Sequence, residues 1–200
     1  MNFEQKINLR EFSSSLKDGD CLAFYHTQWY FIASKIIAFV SGFKMDHIAV
    51  VANVNRTKYG FVTFDLYECT VSKGVHCTHY YITRNGDTDL PISDKRLMYY
   101  IKCKRLTSIE REDSILDLCS QLGNRYNWRK VFWVPFNNIL TKSYREYKRR
   151  RSPGQFCSGY VLKNKRNIKA IPEEEYRTDE LRTPYQVACL SCFKEGFIIK

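Results

Sequence analysis

Three residue types in this sequence could together perform nucleophilic catalysis: a cysteine, a histidine and a carboxylate. Cys157 follows a Pro153-Gly154 turn and stands at a predicted helix start. The positive end of a helix dipole favours the thiolate, which is the nucleophilic form of cysteine. A run of arginines just before it adds positive charge (Arg149, Arg150 and Arg151). Cys157 is therefore the candidate nucleophile, the alternative being a small buried residue, as most cysteines are.

The candidate base and its orienting group lie on predicted strands. His47 opens an apolar segment directly after a turn-like stretch, so its imidazole would sit at a strand end near the rim of a sheet. In the strand at 62–68, alternation places the Glu68 carboxylate on the apolar face. A buried carboxylate costs several kcal/mol unless it is paired, and a histidine on a neighbouring strand would suit it. The alternatives are a structural histidine and a carboxylate that reaches water at the strand end.

Together these residues form the minimum set of a thiol hydrolase: nucleophile, base and orienting group. His47 would take the thiol proton, and Cys157 would attack an amide, thioester or ester carbonyl. Water or another acceptor would then release the acyl group. This chemistry needs no metal and no cofactor.

Composition narrows the class of protein. The chain has 200 residues, of which 44% are hydrophobic, and a formal net charge of +11. This is enough apolar material for a sizeable core. The eight cysteines are too few for a disulfide scaffold, and no secretory signal is recognisable, so we expect free thiols and a cytoplasmic location. The apolar run at 29–40 is too short to cross a membrane.

The order of predicted elements indicates an α+β fold. Strands are expected at 21–25, 47–54, 60–71, 74–82 and 97–106, without alternating helices, which favours a mostly antiparallel sheet or small barrel. Helices are expected at 3–16, 29–40, 108–123, 131–140 and 156–163, with a last one opened by Thr183-Pro184 and an exposed loop at 144–152. No repeat or domain boundary stands out, so residues 1–200 are taken as one domain.

Several short blocks share one order along the chain. They are Gly19-Asp20, the segment 47–51, Glu68 with Gly74-Val75, the segment 123–128, the segment 156–161 and Thr183-Pro184. In this order, over about residues 18–196, they resemble the circularly permuted NlpC-type papain-like enzymes, the YiiX-like group that has poxviral and phage members.

The resemblance implies a papain-like core with Cys157 as nucleophile, His47 as general base and Glu68 orienting the imidazole. Tyr126 matches a Gly-x-x-Tyr-x-Trp block whose tyrosine helps to form the oxyanion site in unpermuted relatives. The backbone N–H of Cys157 would be the other donor. A host cytoplasmic location follows if the source is viral or phage.

The chain departs from the family in an inserted segment at about 129–155. This segment carries Phe132-Trp133 and the basic run at 145–151. Because it would lie beside the nucleophile, Trp128 and the arginines at 149–151 are candidate substrate-binding residues, and the substrate is left open.

Two further motifs are given structural interpretations. Cys189-x-x-Cys192, with His76-x-x-His79 as a conceivable partner, could bind zinc, but there is no second Cys-x-x-Cys. We expect this pair to lie within the helix that follows Thr183-Pro184, on one face with Tyr185, and to pack in the core. The basic run could hold phosphates, yet such runs are typically solvated and no nucleic-acid-binding motif accompanies it, so nucleic acid is not the expected partner.

Three hypotheses of function remain. The first is a cysteine hydrolase of amide bonds in peptide, isopeptide or peptidoglycan-type substrates. The second is a lipid acyl hydrolase or acyltransferase, because the apolar helix at 29–40 and the basic face suit an anionic membrane surface. The third is a non-enzymatic module that binds through the basic loop.

Overall fold

An open seven-stranded sheet organises the part of the chain that the computed structural model describes, residues 3–27, 32–93, 95–104, 106–127, 156–172 and 182–199. The strands are β1 (Lys6–Ile7), β2 (Cys21–His26), β3 (His47–Arg56), β4 (Val62–Thr70), β5 (Gly74–Ile82), β6 (Arg96–Cys103) and β7 (Phe193–Ile199). They lie in the order β1-β7-β6-β2-β3-β4-β5. The β1–β7 pair is parallel and the other pairs are antiparallel. The α+β class and the mostly antiparallel sheet are therefore confirmed, with an open sheet instead of a small barrel.

Five helices accompany the sheet among these residues: α1 (Leu9–Ser15), α2 (Ile32–Ser41), α3 (Ser108–Ser120), α4 (Cys157–Asn167) and α5 (Pro184–Ala188). Capping boxes begin α1, α3 and α5, at Asn8, Thr107 and Thr183. The predicted start of the last helix at Thr183-Pro184 is thus confirmed. In the described residues, no helix is long and apolar enough to cross a membrane.

Both ends of the chain differ from expectation. The helix predicted at 3–16 is only α1, preceded by β1, because residues 6 and 7 pair with β7. β7 itself was not predicted. The Cys189-x-x-Cys192 pair lies after α5, not inside it: Cys189 is the C-cap and Cys192 directly precedes β7. The predicted helix at 131–140, the loop at 144–152 and the insertion at 129–155 lie outside the described residues.

Each face of the sheet has its own core. One face packs against α4, whose Tyr160 and Val161 contact residues such as Ile48 and Val50 of β3. The other packs against Phe12 of α1 and Leu16, and alternate residues of the same strands fill it. Because α4 begins at Cys157, packing of this helix on the first face fixes the height of the cysteine over the sheet.

A buried lysine ties α4 to the start of β2. Lys165 is fully buried, and its Nζ donates a hydrogen bond to the carbonyl oxygen of Gly19 over 2.7 Å. The neighbouring Asp20 is also buried and accepts from the backbone N–H of Cys103 and from the hydroxyl of Tyr100. The Gly19-Asp20 turn therefore anchors β2, β6 and α4 together.

Gly74 allows the loop before Tyr126 to lie directly against β5. Its φ is +68°, and a Cβ at this position would lie 2.3 Å from the carbonyl oxygen of Asn124. That same oxygen accepts from the N–H of Val75 over 2.8 Å, and the N–H of Gly123 donates to Val75. Only glycine combines this backbone angle with so close an approach.

Gly74→Ala is expected to lower the free energy of unfolding by more than Gly86→Ala does. Both glycines have positive φ, but a Cβ at Gly86 meets nothing within 4 Å. Gly86→Ala, the control, should therefore lower the free energy of unfolding only by the backbone strain, about 1–2 kcal/mol. Gly74→Ala should lower it by about 1–3 kcal/mol more, because its Cβ clashes. Urea unfolding measures both, and equal losses would contradict the role of the close approach.

Candidate active site

Three elements bring Cys157, His47 and Glu68 together. His47 is the first residue of β3, Glu68 lies near the end of β4, and Cys157 is the first residue of α4. The Nε2 atom of His47 lies 2.8 Å from Oε2 of Glu68. The thiol of Cys157 lies close enough to the imidazole of His47 to raise its pKa. One imidazole thus lies between the carboxylate and the thiol.

The two ring nitrogens of His47 have different partners. Because Nε2 is used by Glu68, Nδ1 is the nitrogen left for the Cys157 thiol. A carboxylate that accepts from Nε2–H fixes the tautomer in which Nδ1 carries the lone pair. In that state, His47 can accept the proton of the thiol directly.

The pKa of His47 is raised to about 10. Burial favours the neutral ring, but hydrogen bonds to Cys157 and Glu68, together with the negative charge of both partners, outweigh that effect. The imidazolium form of His47 is therefore stabilised between the side chains of Glu68 and Cys157. A thiolate–imidazolium pair requires an imidazole that is stabilised in this way.

Glu68 is a buried carboxylate with 8% of its surface exposed. Burial by itself would raise its pKa, yet the pKa is lowered because His47 bonds to it and the positive charges of His47, His76 and Arg96 surround it. The Nε2 atom of His76 lies 3.3 Å from Oε1, the oxygen that His47 does not use. The alternation of β4 predicts this burial, and the histidine partner is found on the neighbouring strand.

The segment before β3 holds His47 and the thiol in place. Asp46 is buried, and its carboxylate accepts from the N–H of His26 over 2.8 Å. Its own N–H donates to the carbonyl of Phe24. The Asp46 carbonyl oxygen lies 4.0 Å from Sγ of Cys157. The turn that precedes His47 is therefore fixed to β2 and faces the Cys157 thiol.

An aromatic ring forms one wall around His47. The ring of Phe24 stacks on the imidazole with centroids 5.9 Å apart, and the guanidinium of Arg96 lies 4.1 Å from the Phe24 centroid. Such contacts restrict rotation of His47 about its side-chain bonds and keep water from one face of the ring. They help to hold the imidazole in the plane that serves both of its partners.

The start of α4 supplies a backbone donor at the nucleophile. Phe156 is the N-cap residue, and its carbonyl accepts the first helical hydrogen bond, from the N–H of Tyr160. The N–H groups of the first helical turn have no partner within the helix, so the N–H of Cys157 is free of the helical ladder. A negatively charged oxygen beside Sγ would meet this donor and the positive end of the helix.

Tyr126 lies close enough to Cys157 for the charge of that side chain to affect the pKa of the Tyr126 hydroxyl. Burial raises the pKa of the Tyr126 hydroxyl, and the negative charges of Cys157 and Cys69 raise it further. The phenol therefore keeps its proton throughout the neutral range. A neutral hydroxyl beside the thiol can act as a hydrogen-bond donor.

The structure places four of the predicted residues in one region: Cys157, His47, Glu68 and Tyr126. The substrate-binding candidates Trp128, Arg149, Arg150 and Arg151 lie outside the described residues. Sequence reasoning missed His76, Arg96, Phe24 and Asp46. The signal for His76 was the short turn at 71–73, which sets the hairpin register and places His76 opposite Glu68.

Within the described residues, no cluster of three or more potential ligands is placed to hold a metal ion. His76 and His79 point to different carboxylates, Glu68 and Asp65, on the neighbouring strand.

No protein-family model matches the chain, and no curated protein matches it significantly. Any function assigned to the chain therefore depends on the geometry of its own residues.

Cys157→Ala is expected to lower the pKa of His47 from about 10 by one unit or more, because it removes a hydrogen bond and a negative charge that favour the imidazolium. NMR titration of the imidazole measures this shift. Cys189→Ala, at an exposed thiol, is the control and should leave the titration unchanged.

The raised pKa of His47 also affects stability. Because it exceeds the ordinary value of 6.5, the pairing stabilises the fold fully below pH 6.5, and this contribution is lost as the pH rises through about 10. Between pH 6.5 and 10, the free energy of unfolding should therefore fall by less in Cys157→Ala than in wild type. An identical pH dependence in wild type and variant would contradict the pairing.

Proposed function

We propose that this chain is a cysteine-dependent hydrolase of amide bonds in peptide, isopeptide or peptidoglycan-type substrates, acting through an acyl-thioester. The observation that carries the proposal is the single imidazole of His47, which bonds to Glu68 and lies close enough to the Cys157 thiol for that thiol to raise its pKa. Nucleophile, base and orienting carboxylate are the parts this chemistry requires.

The fold supports the same class. A cysteine at the start of a helix, packed on a sheet whose strands carry the base and the carboxylate, agrees with a permuted papain-like domain. The order His47, Glu68, Cys157 along the chain is the permuted one. In this proposal residues 1–200 belong to a single domain, and the eight free thiols accord with a reducing cytoplasm.

The reaction would proceed in two stages. His47 Nδ1 takes the thiol proton, Sγ of Cys157 bonds to the substrate carbonyl carbon, and the resulting oxyanion meets the Cys157 N–H and the Tyr126 hydroxyl. The C–N bond then breaks, and His47 returns the proton to the departing amine. Water next attacks the thioester with His47 as base, which releases the acid and restores the thiol.

Activity-based labelling with peptide, thioester and lipid-ester probes tests the proposal. Cys157→Ala should abolish both labelling and turnover, and His47→Ala should reduce turnover by about 10²–10⁴-fold. The labelled residue must be identified by mass spectrometry, because Cys77, Cys119 and Cys189 are exposed thiols.

Cys119→Ala is the matched control and should keep wild-type activity. Full activity in Cys157→Ala would overturn the proposal. Labelling of Cys157 at the same rate with and without His47 would do so as well, because an activated nucleophile depends on its base.

A lipid acyl hydrolase or acyltransferase is the second candidate, and the surface of α2 favours it. Phe39 is 86% exposed and Ile36 is 46% exposed on this helix. Beside them lies a cavity of about 730 Å³, lined largely by aromatic and aliphatic side chains and including Lys35 and Lys44. An apolar helix face beside cations is suited to the surface of an anionic bilayer.

Phe39→Ser should weaken sedimentation with vesicles that contain anionic phospholipid, because it removes apolar area that would enter the bilayer. Tyr59→Ser is the control, since Tyr59 is 70% exposed and also lies near a lysine, but on the turn between β3 and β4. Equal binding of wild type to neutral and anionic vesicles, or equal loss in both variants, would count against the lipid candidate.

A further inference from the structure

Two free thiols meet at the point where the end of β6 lies beside the start of β7. Cys103 is the last residue of β6, and Cys192 directly precedes β7. The strand register places Cys103 opposite Phe193, the residue after Cys192. The N–H of Lys104 donates to the carbonyl oxygen of Cys192 over 2.6 Å. The two cysteines are therefore neighbours across this strand pair.

A buried ammonium group lies beside the two thiols. The Nζ atom of Lys165, which donates to the Gly19 carbonyl, lies 5.8 Å from the ring centroid of Phe193. The N–H of Cys103 donates to the carboxylate of Asp20, the residue after Gly19, over 2.8 Å. Lys165 thus lies among the immediate neighbours of both cysteines, and its positive charge acts on both thiols.

The two thiols differ in how readily they ionise. The pKa of Cys103 is lowered to about 7 by the neighbouring Cys192 thiol and by the charge of Lys165, although burial acts in the opposite direction. The pKa of Cys192 is raised by its Cys103 neighbour and by burial. Cys103 is therefore the thiol that ionises in neutral solution, while Cys192 keeps its proton. The charged or titratable groups around them come from several elements: Lys165 on α4, Asp20 before β2, Cys21 on β2 and Glu110 on α3.

We propose that Cys103 and Cys192 form an oxidisable dithiol, in which hydrogen peroxide oxidises Cys103 and Cys192 then closes a disulfide with it. An attacking thiolate beside a protonated resolving thiol is the arrangement that this chemistry uses. Cys103 is partly exposed and Cys192 is buried, so the peroxide meets Cys103 first. The site goes beyond the proposed hydrolase and uses none of its residues.

The reaction is a two-electron oxidation. The Cys103 thiolate bonds to one oxygen of the peroxide, the O–O bond breaks, and hydroxide leaves. The Cys192 sulfur then bonds to the sulfur of the resulting sulfenic acid, the S–O bond breaks, and the departing oxygen takes the thiol proton and leaves as water. Each sulfur has lost one electron, and the peroxide has been reduced to hydroxide and water. The product joins the end of β6 to the start of β7.

Two other cysteines of the chain serve as controls. Cys189 is exposed and stands three residues before Cys192 in the Cys-x-x-Cys motif, so it is the rival partner for Cys192. Cys77 is exposed as well, but desolvation and the charge of Asp65 raise the pKa of its thiol to about 11. Cys189 tests the choice of partner, and Cys77 separates the effect of ionisation from that of exposure.

The full-length Cys157→Ala chain is the protein to test, because the candidate nucleophile is then absent and the result does not depend on the hydrolase. At pH 7, iodoacetamide should alkylate Cys103 about tenfold or more faster than Cys77, since its larger thiolate fraction outweighs its lower intrinsic nucleophilicity. Hydrogen peroxide should then produce a Cys103–Cys192 bridge, identified by mass spectrometry after peptic digestion. Faster alkylation of Cys77, a Cys189–Cys192 bridge, or no bridge at all would overturn the proposal.

Variants in the same chain test each role. Cys192→Ala should leave Cys103 as a sulfenic acid that dimedone traps, and the midpoint pH of Cys103 alkylation should rise by about one unit because the neighbouring thiol is gone. Cys189→Ala should form the bridge as before. Loss of the bridge in Cys189→Ala, or an unmoved midpoint in Cys192→Ala, would contradict the assignment. If Cys192→Ala does not fold, the bridge found in the parent chain decides alone.

Discussion

The burial of one carboxylate is the constraint on which the site depends. Glu68 is charged in the interior, so it must be surrounded by donors and positive charge or its burial would be strongly unfavourable. Three strands meet that requirement: β3 supplies His47, β5 supplies His76 and β6 supplies Arg96. Their registers relative to β4 are thus coupled to the charge of a single residue. Because Nε2 of His47 bonds to this carboxylate, Nδ1 is the ring nitrogen left for the Cys157 thiol.

The Cys157 thiol is brought to this carboxylate from a distant part of the sequence. Helix α4 follows the first six strands by many residues, and its position is fixed by packing on one sheet face and by the bond from Lys165 to the Gly19 carbonyl. This hydrogen bond requires the Lys165 ammonium group to be buried. The nearby Asp20 carboxylate and the Gly19 carbonyl oxygen offset the free-energy cost of that burial. Both Lys165 and Cys157 lie on α4, eight residues apart in sequence, so the helix is held at one end while its start meets His47. The long sequence separation between Glu68 and Cys157 is therefore compatible with a precisely placed thiol.

The local sequence pattern predicted much of this arrangement, but it failed where a strand pairs with one that is distant in sequence. The alternation of β4 predicts that Glu68 faces the core, and the turn signals predict where β2, β3 and β5 begin. By contrast, Arg96 approaches Glu68 because β6 pairs with β2, which is a consequence of strand order that periodicity does not contain. For the same reason β1 and β7 were missed, since each is completed by a partner at the opposite end of the chain. The hairpin register places His76 opposite Glu68. This position becomes informative only once it is known that the buried Glu68 carboxylate needs a second partner.

The geometry also bears on what the site would accept. Cys157 is only 5% exposed, and its Sγ lies 4.0 Å from the carbonyl oxygen of Asp46, at the end of the segment before β3. That segment is continuous with Phe43 and Lys44, which line the apolar cavity beside α2. Lys35, on the cavity wall, donates to the Tyr25 hydroxyl and to the backbone carbonyls of His26 and Thr27, all of them neutral oxygens. Its positive charge is therefore not neutralised by these bonds. Under the proposed function, a substrate with an apolar group and an anionic group would complement this cavity, whether the bond broken is a peptide amide or a lipid ester.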